Sequence, residues 1–189
     1  ALARLHATWL VVPEAGDPDA TGSAPLDPSD LGLCTIADVY RMFSPATARR
    51  FAGDGRELHR RIIEGWDRVA EVMPSDVAAA TLELVEEPGP LVRGLGGGAA
   101  TLVHGDFRHS NLGWDRGRVI LLDWQLATWG SPVIDLARYI GANSPFLPGD
   151  WDALLARYRD HLEAALPAAH PARPLGTWWD RHIALGLLG

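Results

Sequence analysis

The stretch HGDFRHSN, residues 104–111, decides how this 189-residue sequence is interpreted. It follows the short apolar run Thr101-Leu102-Val103, which predicts a strand, and a second acid comes twelve residues after Asn111, in VILLDWQ at residues 119–125. Polar side chains grouped directly after a short strand are typical of a loop that carries function on a rigid scaffold. We therefore expect the site of this protein at the end of that strand.

The residues between the two acids predict a β-hairpin. NLGWD and RVILLD have the pattern of two strands, and Arg116-Gly117 between them suits a two-residue turn. Antiparallel pairing would place Asn111 and Asp123 side by side at the open end of the hairpin, about 5 Å apart. An amide oxygen and a carboxylate are hard ligands that suit Mg²⁺, which also keeps water and phosphate oxygens.

Asp106 lies five residues before Asn111, on the loop that leads into the hairpin. A carboxylate at this place can accept a hydrogen bond from a substrate hydroxyl and orient it for attack on phosphorus. Phosphoryl transfer requires little more from a protein than a positioned nucleophile and neutralised phosphate oxygens. Asp106, Asn111 and Asp123 together therefore favour this chemistry.

Three segments, HGDFRHSN, LLDWQ and GSPVIDLA, resemble the catalytic part of the aminoglycoside phosphotransferase and choline kinase-like superfamily, whose fold is protein kinase-like. They agree with the family pattern in order and spacing: His-Gly-Asp, then Asn, then a strand ending in an acid, then a helix that opens with Asp-Leu-Ala. ALARLHATW, residues 1–9, resembles the first helix after the hinge in that family.

The resemblance implies a role for each matching residue. Asp106 would be the catalytic base or orienting carboxylate, and Asn111 and Asp123 would hold Mg²⁺. Asp135 would support the catalytic loop from the following helix. The implied reaction moves the γ-phosphoryl group of ATP or GTP to a hydroxyl of a small-molecule acceptor.

Three neighbours of Asp106 receive separate predictions. Arg108, two residues after it, is hypothesised to touch the γ-phosphate during catalysis. His104 is expected to brace the loop by hydrogen bonding, and His109 is either an acceptor-site contact or a solvated loop residue.

The expected fold class is α+β and mostly helical: a protein kinase-like C-terminal lobe in which a small β-hairpin carries the catalytic loop. Residues 1–189 are all assigned to this catalytic and acceptor-binding lobe. All 17 cations are Arg, and GLGGG at residues 94–98 lacks the Lys-Ser/Thr ending of a phosphate loop. We therefore expect the N-terminal nucleotide-binding lobe of the same protein to lie outside these residues, which alone would be inactive.

The rest of the sequence predicts a helical body. Helices are expected over residues 35–44, 47–73, 74–87 with Ser75 as N-cap and Pro88-Gly89-Pro90 as terminator, 131–142 with Ser131 as cap, 150–166 with Asp150 as cap, and from Leu175 or Thr177 onward. Residues 13–30 are expected to form an exposed loop and residues 93–98 a flexible connector.

Composition narrows the classes of partner. The net charge of −7, from 17 cations and 24 acids, argues against nucleic-acid binding, which needs a basic face. No apolar run reaches the length that crosses a bilayer, so no membrane partner is expected. The single cysteine, Cys34, fits a reducing compartment, and a cytoplasmic location is expected.

Two other functions remain open at this point. His104, Asp106, His109 and Asp123 could be the ligands of a metal-dependent hydrolase that uses Zn²⁺. A kinase-like module that binds but does not catalyse is the second alternative. Within the kinase interpretation, the acceptor could be an antibiotic, choline, a sugar or another small molecule.

Overall fold

The computed structural model describes residues 1–12, 31–54, 57–96, 98–147 and 149–188. Most of these residues are helical. The helices are α1 (Leu2–Trp9), α2 (Ile36–Arg41), α3 (Pro45–Phe51), α4 (Glu57–Val72), α5 (Ser75–Glu86), α6 (Gly89–Gly96), α7 (Val133–Asn143), α8 (Trp151–Ala165) and α9 (Gly176–Gly186).

The strands form two small antiparallel sheets. One pairs β1 (Thr101–Val103) with β4 (Thr128–Gly130), and the other pairs β2 (Leu112–Asp115) with β3 (Arg118–Leu121). The expected α+β class with a mostly helical body is therefore confirmed. The predicted strand after Ala100 and the predicted hairpin are both present, whereas β4 was not predicted.

The hairpin turn has the geometry that its sequence suggests. Arg116 and Gly117 both adopt positive φ angles, 48° and 78°, as the two central residues of a type I′ turn do. This turn matches the twist of the paired strands, and glycine takes its second position at no steric cost. It also fixes the register, because Asp115 must lie opposite Arg118 and Leu112 opposite Leu121.

The main hydrophobic core lies beneath the loop that follows β1. Its buried members come from helices before and after the sheets and include Leu2, Leu95, Val103, Leu136, Leu162 and Leu175. Helices α1 and α8 pack against each other, and α1 also lies against β1. Removal of these side chains from water is the main stabilising term, and it gives the polar loop a rigid base.

Some predicted helix boundaries are confirmed and others are wrong. Asp150 caps α8, because its side chain accepts a hydrogen bond from the Ala153 amide at 2.9 Å, and α9 begins at Gly176 as expected. Ser75 is the first residue of α5 rather than its cap. Ser131 does not cap α7, since its buried hydroxyl lies 2.8 Å from Nδ1 of His182 on α9.

The predicted helix over residues 47–73 is instead two helices, α3 and α4. A 3₁₀ turn, Ala52–Asp54, ends the first of them, and the glycine at position 53 disfavours a continuous helix. The first of the two begins earlier than predicted, at Pro45, because Ser44 accepts a hydrogen bond from the Thr47 amide and proline suits the first helical turn.

Helix α5 ends at Glu86, directly before Pro88-Gly89-Pro90 as predicted, whereas the prediction of a connector over residues 93–98 is wrong. Residues Gly89–Gly96 form α6. Proline is tolerated in a first turn, and Leu91 and Leu95, four residues apart, bury the same helix face in the core. Burial therefore outweighs the low helix propensity of the glycines. The loop predicted at residues 13–30 lies outside the described residues.

None of the described helices combines the length and the apolar character that crossing a membrane requires.

Candidate active site

Gly105 sets the direction of the loop that follows β1. Its φ angle is +81°, in the left-handed region, and a Cβ atom at this position would lie 2.1 Å from the carbonyl oxygen of Leu126. Only glycine fits both conditions. The sharp change of direction leaves the next residue, Asp106, at the start of the loop, with 3% of its surface exposed.

Asp135 anchors the backbone of this loop. It lies in the first turn of α7 and is completely buried. Its Oδ2 accepts a hydrogen bond from the His104 amide and its Oδ1 one from the Gly105 amide, each at 2.8 Å. A carboxylate that accepts two backbone amides at a helix N-terminus is well stabilised, so the loop backbone is firmly placed.

A buried chain of polar groups lies behind Asp135. Oδ2 of Asp135 is 3.2 Å from Nε2 of His6, and Nδ1 of His6 contacts the hydroxyl of Tyr158. Burial raises the pKa of Tyr158 well above its usual value, and the charge of Asp135 acts in the same direction. A phenol that keeps its proton can donate to Nδ1 of His6, and in that tautomer the Nε2 proton faces the carboxylate.

Both oxygens of Asp106 have partners. Oδ1 accepts hydrogen bonds from Nε and Nη2 of Arg138, at 3.1 and 2.8 Å. Oδ2 accepts one from Nδ2 of Asn111 at 3.0 Å, and the same amide nitrogen lies 2.9 Å from the Asp106 carbonyl oxygen. The structure thus brings Asp106 and Asn111 into direct contact, in a fixed orientation.

Arg138 is a site residue that was not predicted from the sequence. Its guanidinium lies over the ring of Phe43, 4.1 Å from the ring centre, while it donates to Asp106. Arg138 is the third residue after Asp135 on α7, a spacing that places two side chains on one helix face. That spacing is the one sequence signal that could have pointed to it.

Arg108 lies at the mouth of the site. Its Nε is 3.1 Å from Oδ2 of Asp106, yet the two are not aligned as a hydrogen bond, and this nitrogen has no other partner among the described residues. The side chain is half-exposed, in contrast to the buried carboxylate beside it. Its guanidinium therefore keeps donor capacity for a further acceptor.

The predicted pairing of Asn111 with Asp123 across the hairpin is wrong by one residue. The amide of Leu122 donates to the carbonyl of Asn111 at 2.9 Å, so Leu122 is the residue opposite Asn111. The cause is the two-residue turn, which leaves no extra residue on the β3 side. Asp123 follows directly, exposed, with a φ angle of +63° that non-glycine residues seldom adopt.

His104 connects the loop to the residues on both sides of Asp123. It is completely buried, and its Nε2 lies 2.8 Å from the carbonyl oxygen of Leu122. Its ring packs 4.7 Å, centre to centre, from the ring of Trp124. The backbone on which Asp123 is carried is therefore fixed to the backbone that carries Asp106.

The four residues of the hydrolase alternative do not form a ligand set. Among the residues that the structure describes, no group of three or more His, Cys, Asp and Glu is placed to hold a metal. Nδ1 of His104 accepts from the Asp106 amide at 3.3 Å, and His109 contacts Asn143 at the end of α7 and Phe146. Both imidazoles thus interact with other groups and do not face a common metal position.

The remaining oxygen donors fit a hard cation. Asn111 uses its amide nitrogen on Asp106, which leaves its Oδ1 as an available ligand. Asp123 is exposed and forms no ion pair within the described part of the chain. One amide oxygen and one carboxylate match the small number of protein ligands that Mg²⁺ takes when it retains water and phosphate oxygens.

An apolar surface adjoins Asp123 on the hairpin. Ile120 and Leu122 are both exposed on it, and Trp124 is partly exposed beside them. A Cβ atom on Gly113 would lie 3.7 Å from Ile120 and 3.8 Å from Leu122, so these residues share one face of the hairpin. Exposed apolar side chains that lie together often mark a binding surface.

A family model described as "Phosphotransferase enzyme family" matches residues 1–175 of this chain. No curated protein and no solved structure gave a significant match.

Proposed function

Since the chain belongs to the phosphotransferase enzyme family, we propose that it transfers the γ-phosphoryl group of ATP or GTP to a hydroxyl group of a small molecule, with Mg²⁺ as cofactor. In the reaction, the hydroxyl oxygen bonds to the γ-phosphorus while the bond from that phosphorus to the bridging oxygen breaks. The nucleoside diphosphate leaves, and the hydroxyl proton passes to a carboxylate.

Asp106 is the carboxylate that receives this proton. Two hydrogen bonds from Arg138 occupy Oδ1, whereas Oδ2 has one hydrogen bond, from Asn111, and the unaligned Nε of Arg108 at 3.1 Å. A carboxylate oxygen has two acceptor positions, so Oδ2 can accept a substrate hydroxyl as well. The partners of Asp106 fix its plane, and orientation of the attacking hydroxyl is the main contribution expected of this residue.

Arg108 is the residue proposed to contact the transferred phosphoryl group. Its buried Nε lies 3.1 Å from Oδ2 of Asp106 without an aligned hydrogen bond, while the half-exposed side chain reaches solvent beside that carboxylate. A guanidinium that donates to phosphate oxygens stabilises the charge that spreads over them in the transition state. Arg108 is suited to this role because its other partner, Asp106, is held mainly by Arg138 and Asn111.

Asn111 and Asp123 are the proposed Mg²⁺ ligands, through Oδ1 and the carboxylate. A bound Mg²⁺ would neutralise charge on the phosphate oxygens of the nucleotide. His104 and Asp135 do not touch substrate in this proposal. They position the backbone of the loop and of the segment that carries Asp123.

The nucleotide would approach from the hairpin side. The exposed apolar face of Ile120 and Leu122 adjoins Asp123. It suits contact with the base of the nucleotide or with a lobe that covers the nucleotide. The chain has no Lys to pair with nucleotide phosphates. We therefore propose that an N-terminal lobe of the same protein completes the nucleotide site and that these 189 residues alone do not turn over.

The observation that carries the proposal is the contact between Asp106 and Asn111, on a loop whose backbone His104 fixes to the segment of Asp123. The test uses the full-length gene product with Mg²⁺ and either ATP or GTP. A panel of hydroxyl compounds is incubated with it, and phosphorus NMR detects a new phosphomonoester. We expect at least one compound to be phosphorylated.

The Asp106→Asn variant is expected to lower kcat by about 10²–10⁴-fold, the usual contribution of a positioned acid or base. Asp115→Asn is the matched control, because Asp115 is a half-exposed hairpin carboxylate paired with Arg118, and it should leave the rate unchanged. A kcat of the Asp106→Asn variant equal to that of wild type would contradict the role of Asp106. If no compound of a broad panel is phosphorylated, a binding module without catalysis becomes the better account.

A further inference from the structure

A cavity of 530 Å³ lies beside the candidate active site, and no hairpin residue is among the described residues that line it. Gly105 and Arg138 belong to its lining, so it reaches the residues next to Asp106. Its volume falls in the range of pockets that bind small molecules, about 300–1,000 Å³. A compound held in this cavity could present a hydroxyl to Asp106 from the side of α7.

The lining is mainly aromatic and aliphatic. Tyr40 and Phe43 enter from α2 and the turn after it, Trp66 from α4, and Trp151 from the start of α8. Burial raises the pKa of Tyr40, so its phenol remains neutral. These rings come from three helices and one turn, and they give the cavity flat apolar walls.

The charge of the cavity comes from one residue. Among the described residues that line it, Arg138 is the only charged one, and no Asp or Glu is included. Asp106 lies behind Arg138 and is already paired with it through two hydrogen bonds. A cationic ligand in the cavity would therefore meet a guanidinium and no unpaired carboxylate.

We infer that this cavity is the acceptor site and that the acceptor is a hydroxyl compound with an apolar, ring-containing body and no positive charge. The inference rests on the proposed function and assigns a substrate class to it. The apolar body lies against the rings of Tyr40, Trp66 and Trp151. The hydroxyl group extends past Arg138 to Oδ2 of Asp106.

A polycationic aminosugar does not fit this lining. Such a compound needs carboxylates to offset the loss of hydration of its ammonium groups, and the described lining supplies none. Its many hydroxyl and amino groups would also outnumber the few polar side chains of the described lining, which include Tyr40 and Ser144.

A quaternary ammonium alcohol needs a separate argument, because aromatic rings can bind such cations by cation–π contact. Phe43 is not available for that contact, since the guanidinium of Arg138 already lies over its ring at 4.1 Å. The pairing of Arg138 with Asp106 leaves no net negative charge at this side of the cavity to attract a second cation. The arrangement thus favours a neutral body over a cationic one of equal size.

Gly141 offers a direct way to fill the cavity. It belongs to the lining, lies on α7, and a Cβ atom there would meet nothing within 4 Å. Gly65 is the matched control, because it also lies within a helix, has open space around its Cβ position and does not line the cavity. Gly141→Leu and Gly65→Leu therefore differ chiefly in whether the new side chain enters the cavity.

The experiment measures binding to the full-length protein by calorimetry, without nucleotide. The probes are 2-naphthaleneethanol, the quaternary ammonium alcohol with the same naphthyl body, and kanamycin. We expect 2-naphthaleneethanol to bind at least about tenfold more tightly than either cation, a difference of about 1.4 kcal/mol. Gly141→Leu should weaken its binding about tenfold or more, and Gly65→Leu should leave it unchanged.

Tighter binding of the ammonium probe or of kanamycin would overturn the inference. It would also be overturned if Gly141→Leu and Gly65→Leu bound the neutral probe equally well, or if wild type did not bind it. Phosphorylation is then measured on the same variants. A protein that binds the neutral probe as expected but phosphorylates no hydroxyl compound would refute the proposed function alone. A kanamycin kinase that is insensitive to Gly141→Leu would refute the substrate class alone.

Discussion

Arg138 of helix α7 donates two hydrogen bonds to Oδ1 of Asp106, thirty-two residues earlier in the chain, while its guanidinium lies over the ring of Phe43. The contact joins the loop that carries Asp106 to the cavity proposed for the acceptor. It also sets the plane of the carboxylate, and Oδ2 is the oxygen that we propose accepts a substrate hydroxyl.

Arg138→Lys tests this geometry. A lysine ammonium cannot donate in the fork arrangement and stack on a ring at the same time. We expect kcat to fall about tenfold and the free energy of unfolding to fall by about 1.5–3 kcal/mol, the contribution of a hydrogen bond to a charged group. Initial rates and denaturant unfolding measure both.

Arg159→Lys is the control for that substitution, because Arg159 lies near the surface of α8, 3.8 Å from Asp180. It should change neither quantity. Wild-type kcat in the Arg138→Lys variant would show that the plane of Asp106 does not depend on the guanidinium.

Gly105→Ala should remove the turn that presents Asp106. The added Cβ would lie 2.1 Å from the Leu126 carbonyl oxygen, and the φ angle of +81° is unfavourable for alanine. We expect a loss of unfolding free energy of more than about 2 kcal/mol, from strain and steric overlap. Thermal unfolding measures it.

Gly113→Ala provides the comparison, since the nearest heavy atom to its new Cβ lies 3.7 Å away, an ordinary contact. Its melting temperature should stay close to that of wild type. Equal stability of the two alanine variants would mean that the loop does not need the left-handed glycine.

Asp135→Asn should destabilise the loop. The carboxylate accepts hydrogen bonds from two backbone amides and faces His6. An asparagine has a single side-chain oxygen, so its NH2 group must face one of these donors. We expect the free energy of unfolding to fall by roughly 2–4 kcal/mol, as for a buried polar network that loses a partner.

Asp152→Asn is its counterpart, because Asp152 also lies in the first turn of a helix but is exposed. Asp152→Asn should lower the free energy of unfolding by less than about 1 kcal/mol. A similar small loss for Asp135→Asn would show that the loop is held by other contacts.

The stability of the protein should depend on pH through His182. Burial, with Arg181 acting in the same direction, lowers the pKa of this side chain to about 4 from its ordinary 6.5. Between those two pH values the unfolded chain takes up a proton that the folded protein does not. The free energy of unfolding therefore falls as the pH drops through this window, by roughly 3 kcal/mol at most.

The measurement is the melting temperature from pH 7 down to about pH 4. His182→Gln should flatten its decline, while His161→Gln, at an exposed position on α8, should not. Identical pH dependence in wild type and His182→Gln would contradict the shifted pKa.

Local patterns in the sequence predicted the parts of the fold that depend on neighbouring residues. Arg116-Gly117 specified the hairpin turn, and Asp150 specified the start of α8, because both act within a few residues of themselves. Strand β4 was missed, since it is three residues long and its partner β1 lies far away in the sequence. Helix α6 was missed because the burial of Leu91 and Leu95 outweighs local propensity.

The candidate site also contains some residues that local sequence patterns mark and others that only the packing of distant segments brings in. The motif residues Asp106, Asn111 and Asp123 could be selected from spacing, although the register was wrong by one residue. Arg138 was not selected, because its partner is thirty-two residues away and the only local signal was its three-residue spacing from Asp135. The lining of the cavity, from several helices, depends on their packing, which no single segment encodes.

The most direct test of the central claim is the dependence of the initial phosphorylation rate on Mg²⁺ concentration in wild type, Asp123→Asn and the control Asp115→Asn. The account predicts that Asp123→Asn needs about tenfold or more Mg²⁺ for its half-maximal rate, because a carboxylate ligand is lost, and that Asp115→Asn behaves as wild type. Superimposable Mg²⁺ curves for wild type and Asp123→Asn would contradict it.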